Sequence, residues 1–361
     1  MTAPIVIVGG YGLVGRLLAE RLAPQHPGRV VIAGRDSTRA AKTAATLGHG
    51  ARAVRLDAAD PESVRHLVTT ERPELVLACA PKTEKALVGG CVDAGVHYAD
   101  VSADGAGIEA VEKLDPLAAH TGATVVLSVG IAPGVTNLLA AQVCSSFDEV
   151  ERLDLGVRLG IADEHGAAAL DWTLENLAVP FSVVHNGKVR PQRPFVARRH
   201  LDFGDGHRSV AAAFNFPEQR SLARTLDIPT VRSWLTLEPR AVHLAAVVAA
   251  RSGTARVFGS AKVRSPAVTA MGAVPHQQGR FAVCAEASGV RDGQSQSVAA
   301  WFAGTGEAAM TAEVAAVVAT RLLDGDQPPG VRHIEQLPGW RGILSAVRSD
   351  APSGATGSRT G

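Results

Sequence analysis

The fold class that this sequence predicts is an α/β Rossmann domain on a parallel sheet, followed by an α+β second domain with a mainly antiparallel sheet. Three observations predict it. A glycine-rich turn stands directly after the first apolar run, in Ile5-Val6-Ile7-Val8-Gly9-Gly10-Tyr11-Gly12-Leu13-Val14-Gly15. Short, continuously apolar runs then alternate with helical patterns as far as Val129, the signature of a parallel sheet covered on both faces. Beyond Val150 the pattern changes to alternating strands closed by tight turns.

Taken in order, Ile5–Val8 reads as a strand and Leu13–Ala23 as a helix. Val30–Ala33 is a second strand, followed by a helical stretch over residues 38–47. Ala53–Leu56 is a third, and Pro61 sits well at the first position of the helix that follows it. Leu75–Ala80, His97–Val101 and Thr124–Val129 complete six strands, with helices expected over residues 84–94 and 107–121. In the second part, Arg152–Leu159 alternates as a half-buried strand. Phe181–Arg190 is a hairpin closed by Asn186-Gly187, and residues 200–210 repeat the idea around Gly204-Asp205-Gly206. Thr230–Leu237, Phe281–Ala287 and Ser297–Phe302 are β-like, and residues 167–177 and 241–251 are helical. A last, strongly apolar helix covers residues 311–323. The expected domains are therefore residues 1–133 (Rossmann), 134–303 (α+β, for substrate and dimerisation), 304–348 (a returning C-terminal helix and segment) and 349–361, a Ser/Gly/Thr/Arg-rich tail expected to lack structure.

Composition bounds the function. The 361 residues are 46% hydrophobic and 20% charged, which suits a globular protein of two domains. A formal net charge of +1 gives no reason to expect nucleic acid or an anionic membrane as partner. The start lacks the pattern of a secretory signal, and the apolar stretch Ala241–Ala250 is too short to span a bilayer. Cytoplasmic location is expected. Cys79, Cys91, Cys144 and Cys284 form no CxxC pair, and the histidines lack metal-ligand spacing, so no metal site is expected. A homodimer is compatible with an antiparallel second sheet.

The sharpest motif is the turn Gly10, Tyr11, Gly12, Leu13, Val14, Gly15. Gly10 permits the tight turn, Gly12 lets the backbone approach a pyrophosphate, and Gly15 lets the helix pack against the strand. The helix N-terminus then offers unsatisfied N–H groups to the anion. At the end of the second strand an NAD enzyme usually carries Asp or Glu for the ribose 2′-OH. Here Ala33-Gly34-Arg35-Asp36-Ser37 places a cation there, able to fork onto a 2′-phosphate, so NADP(H) is the expected cofactor. Asp36 offers the opposite choice if the register differs by one residue. Further contacts are expected beyond the carboxyl ends of the other strands, from Asp57, Ala80 and Pro81. Asp57 is equally suited to starting the next helix.

These residues give the chain a resemblance to the saccharopine dehydrogenase-like reductases. The resemblance rests on the Gly9–Gly15 turn, Ala33-Gly34-Arg35, His97-Tyr98-Ala99-Asp100-Val101-Ser102 and Gly130-Ile131-Ala132-Pro133-Gly134-Val135-Thr136-Asn137. Ser288–Gly293 and Met310–Glu313 also fit it. It implies hydride transfer between a nicotinamide and an imine, or the reverse oxidation of a secondary amine, in a cleft between domains. It also implies that the last helix returns to the Rossmann domain. Gly130 is counted with the cofactor-binding residues.

Imine reduction asks the protein for geometry and for a proton. Asp100, ending the fifth strand, is the candidate donor or iminium stabiliser, or else a cap on the loop through the N–H of Ser102. Tyr98 is placed to orient it. Asn137 either binds the nicotinamide carboxamide or substrate, or caps its own helix. Trp172 and Asn176, one turn apart, form part of a substrate wall or simply pack. Arg193, Arg198, Arg199 and Arg208 suit either an acidic substrate or the protection of hairpin edges. The leading expectation is an NADPH-dependent reductase of C=N bonds acting on a small molecule. A C=C or C=O acceptor, and an NADP-binding sensor without turnover, are the alternatives.

Overall fold

The computed structural model describes residues 3–80, 82–160, 167–272, 279–325, 327–349 and 355–360. The chain opens with β1 (Ile5–Val8), α1 (Leu13–Gln25), β2 (Val30–Gly34), α2 (Ser37–Leu47), β3 (Arg52–Arg55), α3 (Pro61–Thr70), β4 (Leu75–Ala78), α4 (Lys85–Asp93) and β5 (His97–Asp100). The single helix expected next is two, α5 (Gly105–Glu112) and α6 (Asp115–Thr121), with Pro116 in the first turn of the second, where its missing N–H costs nothing. Then come β6 (Thr124–Leu127), α7 (Val135–Cys144) and β7 (Glu149–Gly160). They are followed by α8 (Ala167–Ala178), β8 (Phe181–His185), β9 (Lys188–Gln192), β10 (Arg198–Asp202), β11 (Arg208–Ala213) and α9 (Glu218–Thr225). β12 (Val231–Glu238), α10 (Arg240–Ser252), α11 (Ala261–Gly272), β13 (Arg280–Arg291), β14 (Gln294–Thr305) and α12 (Glu307–Leu323) follow. The chain ends in β15 (Gly330–His333), α13 (Trp340–Ser349) and β16 (Ala355–Thr360).

Two compact units result. The first joins residues 1–130 to residues 308–347. Its sheet has seven parallel strands in the order β15-β6-β5-β4-β1-β2-β3, so the strand order reverses between β1 and β4, each a direct neighbour of the other. Strands β1, β2, β4 and β6 are buried throughout, which is what their unbroken Val/Ile/Leu/Ala runs require of a sheet covered on both faces. Val6, Val31, Val76, Tyr98, Val125 and Val331 share one core with the helices α3 to α5. β15 pairs with β6 in register Val331↔Val125, giving the sheet a seventh strand beyond the six read from sequence. α12 buries Val314, Ala315, Val318, Ala319 and Leu322 within this unit.

The second unit, residues 131–307 with 348–361, holds a nine-stranded mixed sheet. Its pairs are antiparallel except β12 with β7. β13 shifts register against β7 between Ser288 and Gly289, where a Cβ on Gly289 would lie 2.1 Å from the Glu149 carbonyl oxygen. Phe181, Leu201, Phe203, Trp234 and Cys284 form its core. The tail corrects its expectation: residues 355–360 pair antiparallel with β14, because backbone ladder bonds do not depend on apolar side chains.

Candidate active site

The loops leaving the carboxyl ends of the first sheet gather most of the expected residues. Gly10, Tyr11 and Gly12 span the turn from β1, and Leu13, Val14 and Gly15 open α1. A Cβ on Gly15 would stand 2.5 Å from the Gly9 carbonyl oxygen, and one on Gly10 2.9 Å from that of Ile7, so both positions need glycine for packing. Gly12 differs. A Cβ there would meet only the Gly9 carbonyl oxygen, at 3.1 Å, and would otherwise fill the open space above the turn. No side chain caps α1 and no acid stands in its first turn, which leaves its N–H groups and partial positive charge for an anion. These are the features a pyrophosphate requires, and the residues fit a dinucleotide.

At the end of β2, Gly34 lies under the Tyr11 ring, where a Cβ would come within 2.4 Å of it. The Arg39 guanidinium carbon sits 4.6 Å from the centre of that ring. The Asp36 backbone N–H points at the Tyr11 hydroxyl oxygen, 3.4 Å away. The Asp36 carboxylate caps α2, accepting from the Arg39 N–H at 2.9 Å. Arg35 is exposed beside it, and Ser37 is the first residue of the helix. One carboxylate employed as a cap, the Arg39 guanidinium over Tyr11 and the exposed Arg35 at the strand end suit a 2′-phosphate better than a bare ribose.

The Asp57 carboxylate accepts from the Ala59 N–H at 3.2 Å, while its own N–H donates to Ser63 Oγ at 3.0 Å. These bonds shape the loop before α3, whose cap is Asp60, accepting from the Glu62 and Ser63 N–H groups. Ala80 follows β4 and is half-buried; Pro81 lies outside the described residues. Gly130 is buried after β6.

Asp100 is 2% exposed. Its Oδ2 accepts from Thr83 Oγ1 at 2.8 Å and from the Tyr98 hydroxyl at 3.0 Å, and its Oδ1 accepts from the Ser102 N–H at 2.7 Å. Of its two expected roles, these bonds match the one that holds the loop. Burial pushes the carboxyl above its ordinary value, against the Ser102 N–H and the two hydroxyls, which pull it down. Burial first, then the Asp100 charge, raises the Tyr98 phenol well above its usual range and the Cys79 thiol to about 12. Neither is an acid–base group near neutral pH.

Three expected residues fall in the second unit. Asn137 is buried in α7, and its Oδ1 accepts from the Gly134 N–H at 3.0 Å, the capping role. Trp172 packs against Phe214 and Phe216, with ring centres 5.6 and 5.7 Å apart. Asn176 donates to the Trp172 carbonyl at 2.9 Å and accepts from Asn215 Nδ2 at 2.9 Å. Both are tied into an aromatic and amide cluster.

The sequence reading missed a further group. Ser128 follows β6 with φ of 61°, and its Oγ lies 2.8 Å from His333 Nδ1 on β15. His333 Nε2 lies 3.0 Å from Glu112 Oε1 on α5. Ser128 is 1% and His333 2% exposed, whereas the Glu112 side chain is 26% exposed. A hydroxyl–imidazole–carboxylate chain thus runs from a strand end to solvent. Its members are 205 and 221 residues apart, so no spacing betrays it. Among the described residues, no group of three or more His, Cys, Asp or Glu could hold a metal ion, and no helix is long and apolar enough to cross a membrane.

A nucleotide-binding turn, a cationic strand end and a doubly covered parallel sheet define an NAD(P)-dependent oxidoreductase. Residues 5–126 match the saccharopine dehydrogenase NADP binding domain. That stretch is an NADP-binding domain, and NADP(H) is its cofactor. Its fold is similar along the full length of both chains to apo saccharopine dehydrogenase (L-Glu forming) from Saccharomyces cerevisiae, at 13% identity and a TM-score of 0.68. A short-chain dehydrogenase from Streptomyces avermitilis aligns with 35% of this chain and 65% of its own, at 18% identity and a TM-score of 0.28.

Proposed function

We propose that the protein is an NADPH-dependent reductase of a C=N bond, or catalyses the reverse oxidation of a secondary amine. The observation that carries this reading is the Ser128–His333–Glu112 chain, in the same unit as the nucleotide-binding turn. NADPH supplies a hydride when bound; the protein has to hold it and to manage one proton. Gly12 and the first turn of α1 would receive the pyrophosphate, and Arg35 and Arg39 would pair with the 2′-phosphate. Ser128 stands at the end of β6, in the half of the sheet that serves the nicotinamide in this fold. Its hydroxyl hands a proton to the substrate nitrogen and regains one from His333 Nδ1, while Glu112 stabilises the imidazolium and connects it to water. In oxidation the proton travels the other way. Asp100, through Thr83, Tyr98 and Ser102, fixes the neighbouring loop.

The wider likeness to a saccharopine dehydrogenase supports a substrate in which an amine nitrogen is joined to the oxidised or reduced carbon. Free thiols at all four cysteines suit a reducing compartment, and we place the protein in the cytoplasm. The test is consumption of NADPH with a panel of cyclic imines, aldehyde–amine mixtures, ketones and enoyl esters, using NADPH deuterated at C4. Deuterium recovered on the carbon next to nitrogen supports the reading. Turnover confined to the ketones or enoyl esters would overturn it.

A further inference from the structure

The second unit carries a charge arrangement that neither the cofactor nor the proton chain uses. On β12, Arg232 stands directly across from Asp154 of β7, and Asp154 stands across from Glu286 of β13. Asp154 is fully buried, yet it does not pair with the arginine opposite. Its Oδ1 accepts from Arg152 Nη2 at 3.0 Å and from Trp234 Nε1 at 2.8 Å. Its Oδ2 accepts from Arg152 Nε at 2.6 Å and forms an ion pair with Arg199 Nη2 at 3.0 Å. Three hydrogen bonds and an ion pair thus engage the carboxylate, none of them from Arg232. Glu286 is engaged elsewhere, by the Asp202 N–H at 3.2 Å and Arg208 Nη2 at 3.3 Å.

Arg232 is therefore left without an acceptor. Among the described residues it enters no hydrogen bond or ion pair, and its Nε is buried and unbonded, as is that of Arg199. Burial, and then the Arg152 charge, hold its guanidinium below the ordinary arginine value; Asp154 opposes them, and Arg199 adds to the depression. Three guanidinium groups surround Asp154, and Glu286 adds only a longer contact to Arg199 at 3.8 Å, so the arginines repel one another. The side chains of Arg152 and Arg199 are about one-third exposed, at 31% and 32%, so the place is reachable from solvent.

We propose that Arg232, with Arg199 and Arg152, binds a small oxyanion, a carboxylate or a phosphate group. The terminal Nη groups of a guanidinium take such oxygens side by side, and the anion would lessen the repulsion among the arginines. This inference stands apart from the choice of reaction.

The test is thermal unfolding of the full chain at low ionic strength, with sodium malonate or sodium phosphate added against sodium chloride of matched ionic strength. Wild type is compared with Arg232→Gln. Without anion, Arg232→Gln should unfold at a higher temperature than wild type, because a like charge is gone. Malonate or phosphate should raise the wild-type midpoint saturably, by about 3 °C beyond chloride at roughly ten times the dissociation constant. In Arg232→Gln only the chloride increment should remain. Whichever anion acts at lower concentration tells carboxylate from phosphate. The 2′-phosphate position at the end of β2 also attracts phosphate, so the series is repeated in Arg35→Ala, where the effect should persist. Calorimetric titration of wild type with malonate gives an independent stoichiometry, with one site expected. Equal responses to chloride and to both oxyanions, or an undiminished response in Arg232→Gln, would overturn the proposal.

Discussion

At the scale of single residues, cofactor choice rests on Arg35 and the proton on Ser128. A charge-assisted hydrogen bond contributes about 1.5–3 kcal/mol. Arg35→Ala should therefore weaken NADPH about 10–100-fold and leave NADH within a few-fold, as titrations at fixed salt would show. Removing a group that moves a proton costs roughly 10²–10⁴ in rate. Ser128→Ala and His333→Gln should each lower kcat at least ~100-fold with unchanged nucleotide affinity; a fall in affinity instead would make the chain a structural brace. Asp100 makes a different statement. Its folded-state value lies above the unfolded one, so the folded chain binds the proton more tightly. The resulting penalty is absent below the unfolded value, grows as pH rises towards the folded one, and is complete above it. Denaturation midpoints of Asp100→Asn should gain on wild type across that window and run parallel to it elsewhere. Here the limits of the sequence are plain. The glycines advertise themselves by spacing, whereas Ser128, His333 and Glu112 meet only because β15 joins β6.

Elements were legible where apolar period and turn chemistry agree. Asn186-Gly187 closes β8 and β9 as its residue types require, and the apolar first strands leave little choice. α9 was not legible: Glu218-Gln219-Arg220-Ser221-Leu222-Ala223-Arg224-Thr225 shows little apolar period, yet Glu218, Gln219 and Ser221 are buried. β15 is four residues long, and its burial comes from partners that a local pattern does not reveal. At the start of α2, the sequence left two roles open for Asp36. Asp36 is the cap, so Asp36→Ala should cost about 1 kcal/mol of stability while leaving the preference for NADPH over NADH intact. Chemical denaturation and nucleotide titration of the same variant would show both. A switch towards NADH would restore Asp36 to the ribose.

At the scale of the molecule, the fold class was readable because its two halves obey different patterns, while the way the chain completes the first unit was not. That unit is discontinuous, closed by residues 308–347. A chain ending at residue 306 keeps β1 to β6 but loses β15 and the buried face of α12. It should bind NADPH weakly and associate through the bared edge of β6, which sedimentation and nucleotide titration would reveal. A monomeric fragment with wild-type affinity would show the first six strands to be self-sufficient.

Synthesis adds a constraint of its own. Strand β6 leaves the ribosome roughly two hundred residues before β15, an interval of about 10–40 s at ordinary elongation rates. Throughout it, a strand of the nucleotide-binding sheet has no neighbour on one side, while the whole of the second sheet up to β14 is being made. The order of folding is thereby set against the order of translation: the domain begun first stays open while nearly all of its successor is made. Nascent chains of this protein should call on chaperones late, and the moment of release should coincide with the arrival of β15.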